Sequence, residues 1–186
     1  MAFPQKRALK EGRTIVFCDQ SGFYLLPMAV RTYAPIGQTP ILKENLSRDH
    51  LSAMSAITLE GKLYMIEQER AFKAEDAVRF LKHLMRQIPG KLLVIWDGSP
   101  IHRGQAVKEF LASGAARRLH LEQLPGYAPD LNPDEGIWKH LKCVELKNFC
   151  CQSLKELKVE LRKAKERLRH KRDVILGCIR QPGFEV

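Results

Sequence analysis

Seven residues in the middle of the chain, Lys91 to Asp97 (KLLVIWD), restrict the possible folds most strongly. A half-exposed strand alternates apolar and polar positions, whereas Leu92 to Trp96 is apolar without a break. Such a strand is buried on both faces and needs a covering layer above and below. Pro89-Gly90 separates it from Ala74 to Ile88, where Ala74, Ala77, Val78, Leu81, Leu84, Met85 and Ile88 recur at helical spacing. A helix leading into a fully buried strand is the signature of an α/β layered domain.

The other segments extend that pattern. Arg13 to Asp19 (RTIVFCD) is a second β-rich run that ends on an acid. Ser21-Gly22 reads as a turn, with Phe23 to Leu26 returning as a strand. Residues 27–50, rich in Pro, Gly, Thr and Arg, read as a long loop. Leu51 to Thr58 and Lys62 to Glu67 flank Glu60-Gly61 as a hairpin. A short helix over 104–112, a strand over His120 to Leu124, a loop over Pro125 to Leu131 and a helix from Asn132 follow. The predicted fold class is α/β: a mixed sheet flanked by helices, with no internal repeat.

From Ser153 the composition changes. Leu154, Leu157, Leu161, Ala164 and Leu168 mark one helix face, and nine Lys or Arg against three Glu occupy the rest of 155–172. The chain therefore divides into a basic leader at 1–12, the α/β unit at 13–150 and a basic helical extension at 151–186.

The formal net charge of +10 favours a polyanionic partner, nucleic acid before membrane. No apolar run reaches the roughly 18–20 residues of a membrane span, and no hydrophobic signal core follows the N-terminus, which points to a cytoplasmic protein. The five cysteines include an adjacent pair and no C-x-x-C, which disfavours a disulfide framework and a zinc ribbon.

Three acids stand where chemistry needs them. Asp19 and Asp97 each close an apolar strand, and in open α/β sheets strand ends face the ligand crevice. Glu135 opens a helix. Clustered carboxylates repel by about 4 kcal/mol per pair at 4 Å and an effective dielectric near 20. Divalent ions reverse that sign, and hard oxygen donors suit Mg²⁺ or Mn²⁺. Structural roles are open to all three. A strand-terminal Asp can be a turn former. Asn132-Pro133-Asp134-Glu135 also reads as a capping box with Asn at N-cap and Glu at N3. Spacing alone does not choose between these readings.

The local strings do. IVFCDQSGFYLLP around Asp19, LLVIWDGSPIHRG around Asp97 and LPGYAPDLNPDEGIWKHLK around Glu135 resemble the DDE-type transposases of bacterial insertion sequences, in the branch related to mariner elements. Leu124-Pro125, Tyr127, Pro129, Leu131-Asn132-Pro133, Glu135 and Trp138 all fit that pattern, and Glu135 stands 38 positions after Asp97. The resemblance covers Arg13 to Phe149.

It implies a ribonuclease H-like fold, with Asp19, Asp97 and Glu135 as both catalytic residues and ligands of a two-ion Mg²⁺ or Mn²⁺ site. It also implies cleavage of double-stranded DNA at transposon ends and strand transfer into target DNA. Three departures bear on this. Gln20 stands where similar proteins often carry Glu, and Asp134 competes with Glu135 as third ligand. The N-terminal helix-turn-helix modules of such proteins have no counterpart here, so the chain reads as a catalytic half that works as a homodimer or with a separately encoded module. The alternatives are a catalytically silent, truncated regulator that binds DNA or a partner, and another nuclease on the same scaffold.

His102, Arg103, Tyr127 and Asn132 are candidates for contacts to DNA or to the ligating acids. His102 in particular could touch the scissile phosphate or orient a metal-bound water. Lys155, Lys158, Arg162, Lys163, Lys165 and Arg169 are candidate phosphate contacts on the basic helix. Trp96 and Trp138 are read as core residues.

Overall fold

The computed structural model describes residues 2–26, 28–41, 47–126 and 129–186. Its sheet has five strands: β1 (Arg13–Tyr24), β2 (His50–Thr58), β3 (Leu63–Gln68), β4 (Lys91–Trp96) and β5 (Leu119–Gln123). They are ordered β3-β2-β1-β4-β5. β1, β2 and β3 form an antiparallel meander, while β4 and β5 lie parallel to β1 and to each other. The helices are α1 (Ala2–Glu11), α2 (Ala74–Gln87), α3 (Gln105–Ala112), α4 (Asp134–His140), α5 (Leu154–Arg169) and α6 (Arg172–Arg180).

Both central strands are buried on both faces, and their side chains alternate between two cores. Ile15 and Phe17 of β1 and Leu93 and Ile95 of β4 pack with Ile137 and Trp138 of α4, Leu161 of α5 and Ile175 of α6. Val16, Cys18, Leu92, Val94 and Trp96 point the other way, against Phe80 and Leu84 of α2 and Val107 of α3. The strand pleat thus makes a three-layer sandwich out of two uninterrupted apolar runs. The expected hairpin is present, and Gly61 takes the left-handed conformation at its turn, with φ +78°. A side chain there would also press on Arg172 Cγ at 2.9 Å.

Four local expectations are revised. Ser21-Gly22 is not a turn: β1 runs straight through it, because Ser21↔Ala53 and Gly22↔Ser52 continue the ladder with β2. The basic leader is helical, seated through buried Ala8 and stopped by Gly12 at φ +59°. The C-terminal basic segment is two helices, since α5 ends at Arg169 and α6 buries Ile175, Leu176 and Ile179. α4 starts two residues later than expected and passes into a π-helical turn at Leu141–Glu145.

Because Leu157, Leu161 and Leu168 share one core with Phe17 and Phe23, α5 acts as part of the covering layer. Leu161→Ala should cost about 2–5 kcal/mol in urea unfolding of the whole chain, whereas Val159→Ala, on the exposed face of α5, should stay within about 0.5 kcal/mol. Equal, small effects would mean that α5 is only loosely attached.

Candidate active site

The parallel register between β1 and β4 pairs Cys18 with Trp96, so Asp19, inside β1, and Asp97, the residue after β4, stand at the same level of neighbouring strands. The expectation that Asp19 closes its strand is revised, because β1 continues to Tyr24 along β2. α4 crosses the same edge. Asp19, Asp97 and Glu135 line one cleft of about 500 Å³, together with Arg103, Gln123 and Asn132. A more apolar cleft of about 460 Å³, bounded by Phe23, Tyr24, Phe149 and Leu157, contains no carboxylate. Of these two clefts, only the first brings together carboxylates.

The three acids sit in different environments. Asp19 is buried, and its Oδ2 accepts the indole N–H of Trp138 at 2.9 Å. Burial raises its carboxyl from 3.8 to about 6, opposed by the Trp138 and Gln20 N–H bonds and assisted by the charges of Glu135 and Asp97. Asp97 is half-exposed. Its Oδ1 accepts from His102 Nδ1 at 2.9 Å and from the Ser99 N–H at 3.2 Å, and the histidine bond holds its carboxyl below the ordinary range. Glu135 is exposed, with its side chain on the cleft wall.

The neighbouring acid, Asp134, has a different role. It is fully buried beneath the sheet, where Ser55 Oγ donates to its Oδ1 and its Oδ2 has no hydrogen-bond partner. Burial, with Asp19 and Glu135 nearby, pushes its carboxyl well up. It does not line the cleft, which leaves Glu135 as the acid of this pair that can reach a ligand there. The expected capping box with Asn132 at N-cap and Glu135 at N3 does not form: Pro133 is the N-cap of α4 and Asn132, one residue earlier, accepts the Asp134 N–H through Oδ1 at 3.2 Å.

Oxygen-only donors suit a hard dication, and their mutual repulsion would be relieved by one. Among the described residues, however, no three His, Cys, Asp or Glu side chains stand together at ligand spacing. The three carboxylates share a cleft without forming a closed cage.

The remaining candidates separate clearly. Arg103 lines the cleft, its guanidinium donating to Gly98 O at 3.1 Å. His102 is buried behind Asp97 and is not part of the cleft wall, so it does not face a phosphate there. Tyr127 lies outside the described residues. The α5 cations lie away from the cleft, and most are paired with acids: Lys158 with Glu69, Arg162 and Lys165 with Glu67, Lys163 with Glu160, Arg169 with Glu166. Lys155 is exposed. The Trp138–Asp19 bond was not visible to sequence reasoning. The one available signal was that Trp138 lies one turn after Glu135, on the helix face that covers the sheet.

The raised Asp19 pKa has a stability consequence. Below 3.8 the carboxyl is protonated in folded and unfolded chain alike; as pH rises through about 6 the folded chain must ionise a buried group and loses that stability. The gap corresponds to about 3 kcal/mol at most. Asp19→Asn keeps an acceptor for Trp138 and cannot ionise. In the metal-free chain it should raise the unfolding temperature at pH 8 and leave it unchanged near pH 4. A stability difference independent of pH would show that the buried charge is not the cause.

Comparison with known proteins identifies a family and similar folds. Residues 14–158 match the family described as DDE superfamily endonuclease. Among solved structures, the Mos1 strand transfer complex aligns with TM-score 0.59 and 20% identity, over 98% of this chain and 58% of that one. The catalytic domain of the Mos1 mariner transposase aligns with TM-score 0.52 and 15% identity, over 97% and 89%. A simian T-cell lymphotropic virus intasome aligns with TM-score 0.53 and 17% identity, over 79% and 46%. No curated protein matches. The chain thus spans a little over half the length of the Mos1 transposase in its complexes and most of the isolated catalytic domain. The mixed sheet flanked by helices is the ribonuclease H-like fold, and with 14–158 matched this chain belongs to the DDE superfamily of endonucleases.

Proposed function

We propose that this chain is a transposase catalytic domain that cleaves double-stranded DNA at transposon ends and joins those ends to target DNA, with Asp19, Asp97 and Glu135 as its catalytic acids. The observation that carries this reading is the convergence of the three acids on one cleft beside two adjacent parallel strands, in a chain of this superfamily. Structures similar to it in fold include a Mos1 mariner paired end complex with Mn and another with Mg, which supports a divalent ion here.

The carboxylate oxygens of the three acids would hold Mg²⁺ or Mn²⁺, in one or two sites, and the bound ions would activate the attacking hydroxyl and stabilise the leaving oxygen. The protein's own contributions are distinct. Asp19 must shed a proton before it can ligate, which its environment makes harder than for a free aspartate. Arg103 offers the scissile strand a cation on the cleft wall. Asn132 sets the first turn of α4, and with it the position of Glu135. The catalytic unit would work as a homodimer or in association with a separately encoded helix-turn-helix module, with the reaction placed in the cytoplasm.

Cleavage of a labelled duplex by the purified chain with Mn²⁺ tests the reading. Asp97→Asn and Glu135→Gln should each abolish cleavage, as should EDTA, while both variants keep wild-type unfolding curves. Wild-type rates in either variant would remove that residue from the site. DNA bound by a folded chain that never cleaves would favour a silent regulator. A second measurement locates the DNA. Each phosphate-neutralising cation removed should flatten the slope of log K against log salt by about 0.9. Arg103→Ala should do so, whereas Arg162→Ala, already paired with Glu67 at 2.6 Å, should leave the slope unchanged. The reverse pattern would move the DNA onto α5.

A further inference from the structure

His102 is the most constrained side chain near the cleft that the reaction does not use directly. It is only 6% exposed. Its ring lies flat on Trp96, with centroids 3.9 Å apart and an angle of 2° between the planes. The 3₁₀ turn Pro100–Arg103 carries it back beneath the end of β4, closed by the His102 N–H to Ser99 O bond at 3.0 Å. Both ring nitrogens are engaged. Nδ1 is 2.9 Å from Asp97 Oδ1 and 3.1 Å from Asp97 O, both of them acceptors. Nε2 is 3.1 Å from Gln20 Nε2, an amide donor. One arrangement satisfies all of these contacts: Nδ1 carries the hydrogen and donates to Asp97, and Nε2 accepts from Gln20.

The effect on Asp97 is asymmetric. Oδ1 takes both internal donors, His102 Nδ1 and the Ser99 N–H. No hydrogen bond among the described residues goes to Oδ2 of this half-exposed carboxylate. Its plane is therefore held from one side and its other oxygen is free. Gln20 follows Asp19 directly, so the same chain of contacts links the middle of β1 to the end of β4, where the two aspartates stand.

We propose that His102 is a positioning residue: its Nδ1–H fixes Asp97 through Oδ1 so that Oδ2 is the oxygen presented to a divalent ion, and Gln20 selects the ring tautomer that makes this bond. This rests on the reading of Asp97 as a metal ligand. Partners behind a ligand typically change metal affinity by about 10–100-fold when removed, because an unheld ligand must be ordered as the ion binds.

The test uses the full chain and Mn²⁺ titrated calorimetrically without DNA, with Asp97→Asn, His102→Asn and His102→Gln. An Asn amide nitrogen occupies roughly the place of Nδ1, and a Gln amide nitrogen that of Nε2. His102→Gln should weaken Mn²⁺ binding about 10-fold or more, while His102→Asn stays close to wild type. In the metal-free wild type, ¹⁵N spectra of the ring should show Nδ1 protonated and Nε2 bare. The inference is overturned if folded His102→Gln binds Mn²⁺ as wild type does, if the Asn and Gln variants lose binding equally, or if the ring carries its hydrogen on Nε2. Asp97→Asn separates the two levels. If it binds Mn²⁺ undiminished, the carboxylate site itself is wrong and this inference falls with it. If it loses binding while His102→Gln does not, only the role of His102 falls.

Discussion

The parallel pairing of β1 with β4 is the contact on which the rest of the molecule depends. Two strands without a polar face can lie side by side only if both faces of the pair are covered. That requirement recruits α2 and α3 on one side and α4, α5 and α6 on the other. The same pairing sets the chemistry. Its register stops both apolar runs at one level, so the first polar residue of each, Asp19 and Asp97, emerges at a shared edge. The aspartates are close because the strands are in register, and the strands are in register because their apolar side chains must fill two cores together.

The third acid depends on a weaker device. α4 has only seven regular residues before it becomes π-helical, too short to be held by its apolar face alone. Two polar contacts to the sheet assist: the Trp138 indole donates to Asp19, and the Ser55 hydroxyl donates to Asp134. Ser55 is the cross-strand partner of Asp19, so both contacts converge on one site in the sheet. Burying Asp134 with one oxygen unpartnered is costly unless the carboxyl is neutral. Its raised pKa is consistent with that state. Helix position, and with it the position of Glu135 on the cleft wall, is thus secured by the buried acid beside it.

Much of this was readable before any coordinates. The strands followed from period and run length, the hairpin from Glu60-Gly61, and α2 from helical spacing. What was not readable depended on distance in three dimensions. Ser21-Gly22 looks like a turn in isolation, but β2 supplies a ladder partner for every residue through it. The leader has almost no apolar stripe, and its helix is seated through Ala8. Asp134 and Glu135 differ by one position in a string and by full burial against exposure in the fold. Position in a first helical turn decides which of two adjacent acids faces the sheet, and no local pattern encodes where the sheet lies. His102 was visible as a candidate, but its partner was not, because Gln20 is 82 residues away.

Charge distribution shows the same limit in another form. A net charge of +10 suggested a cationic helix laid on DNA, and α5 is the most basic segment. In the fold, Glu67, Glu69 and Glu145 reach several of the cations of α5 and of the turn that follows it. Lys158–Glu69 is an exposed pair worth about 0–1 kcal/mol, whereas Glu67 and Glu145 are buried acids that need their cations as partners. All these pairs neutralise charge locally, so α5 is less cationic in the fold than its sequence suggests. The cleft has the opposite balance: few cations, among them Arg103, beside three acids. A polyanion approaching such a cleft meets repulsion unless the acids are neutralised first. Asp19, the most buried of the three, keeps its proton to higher pH than a free aspartate, because burial disfavours its charged form. If the chain acts on DNA as proposed, electrostatics sets the order of events: neutralisation of the carboxylates precedes or accompanies DNA entry, and the basic remainder of the surface holds the polyanion nearby while that occurs.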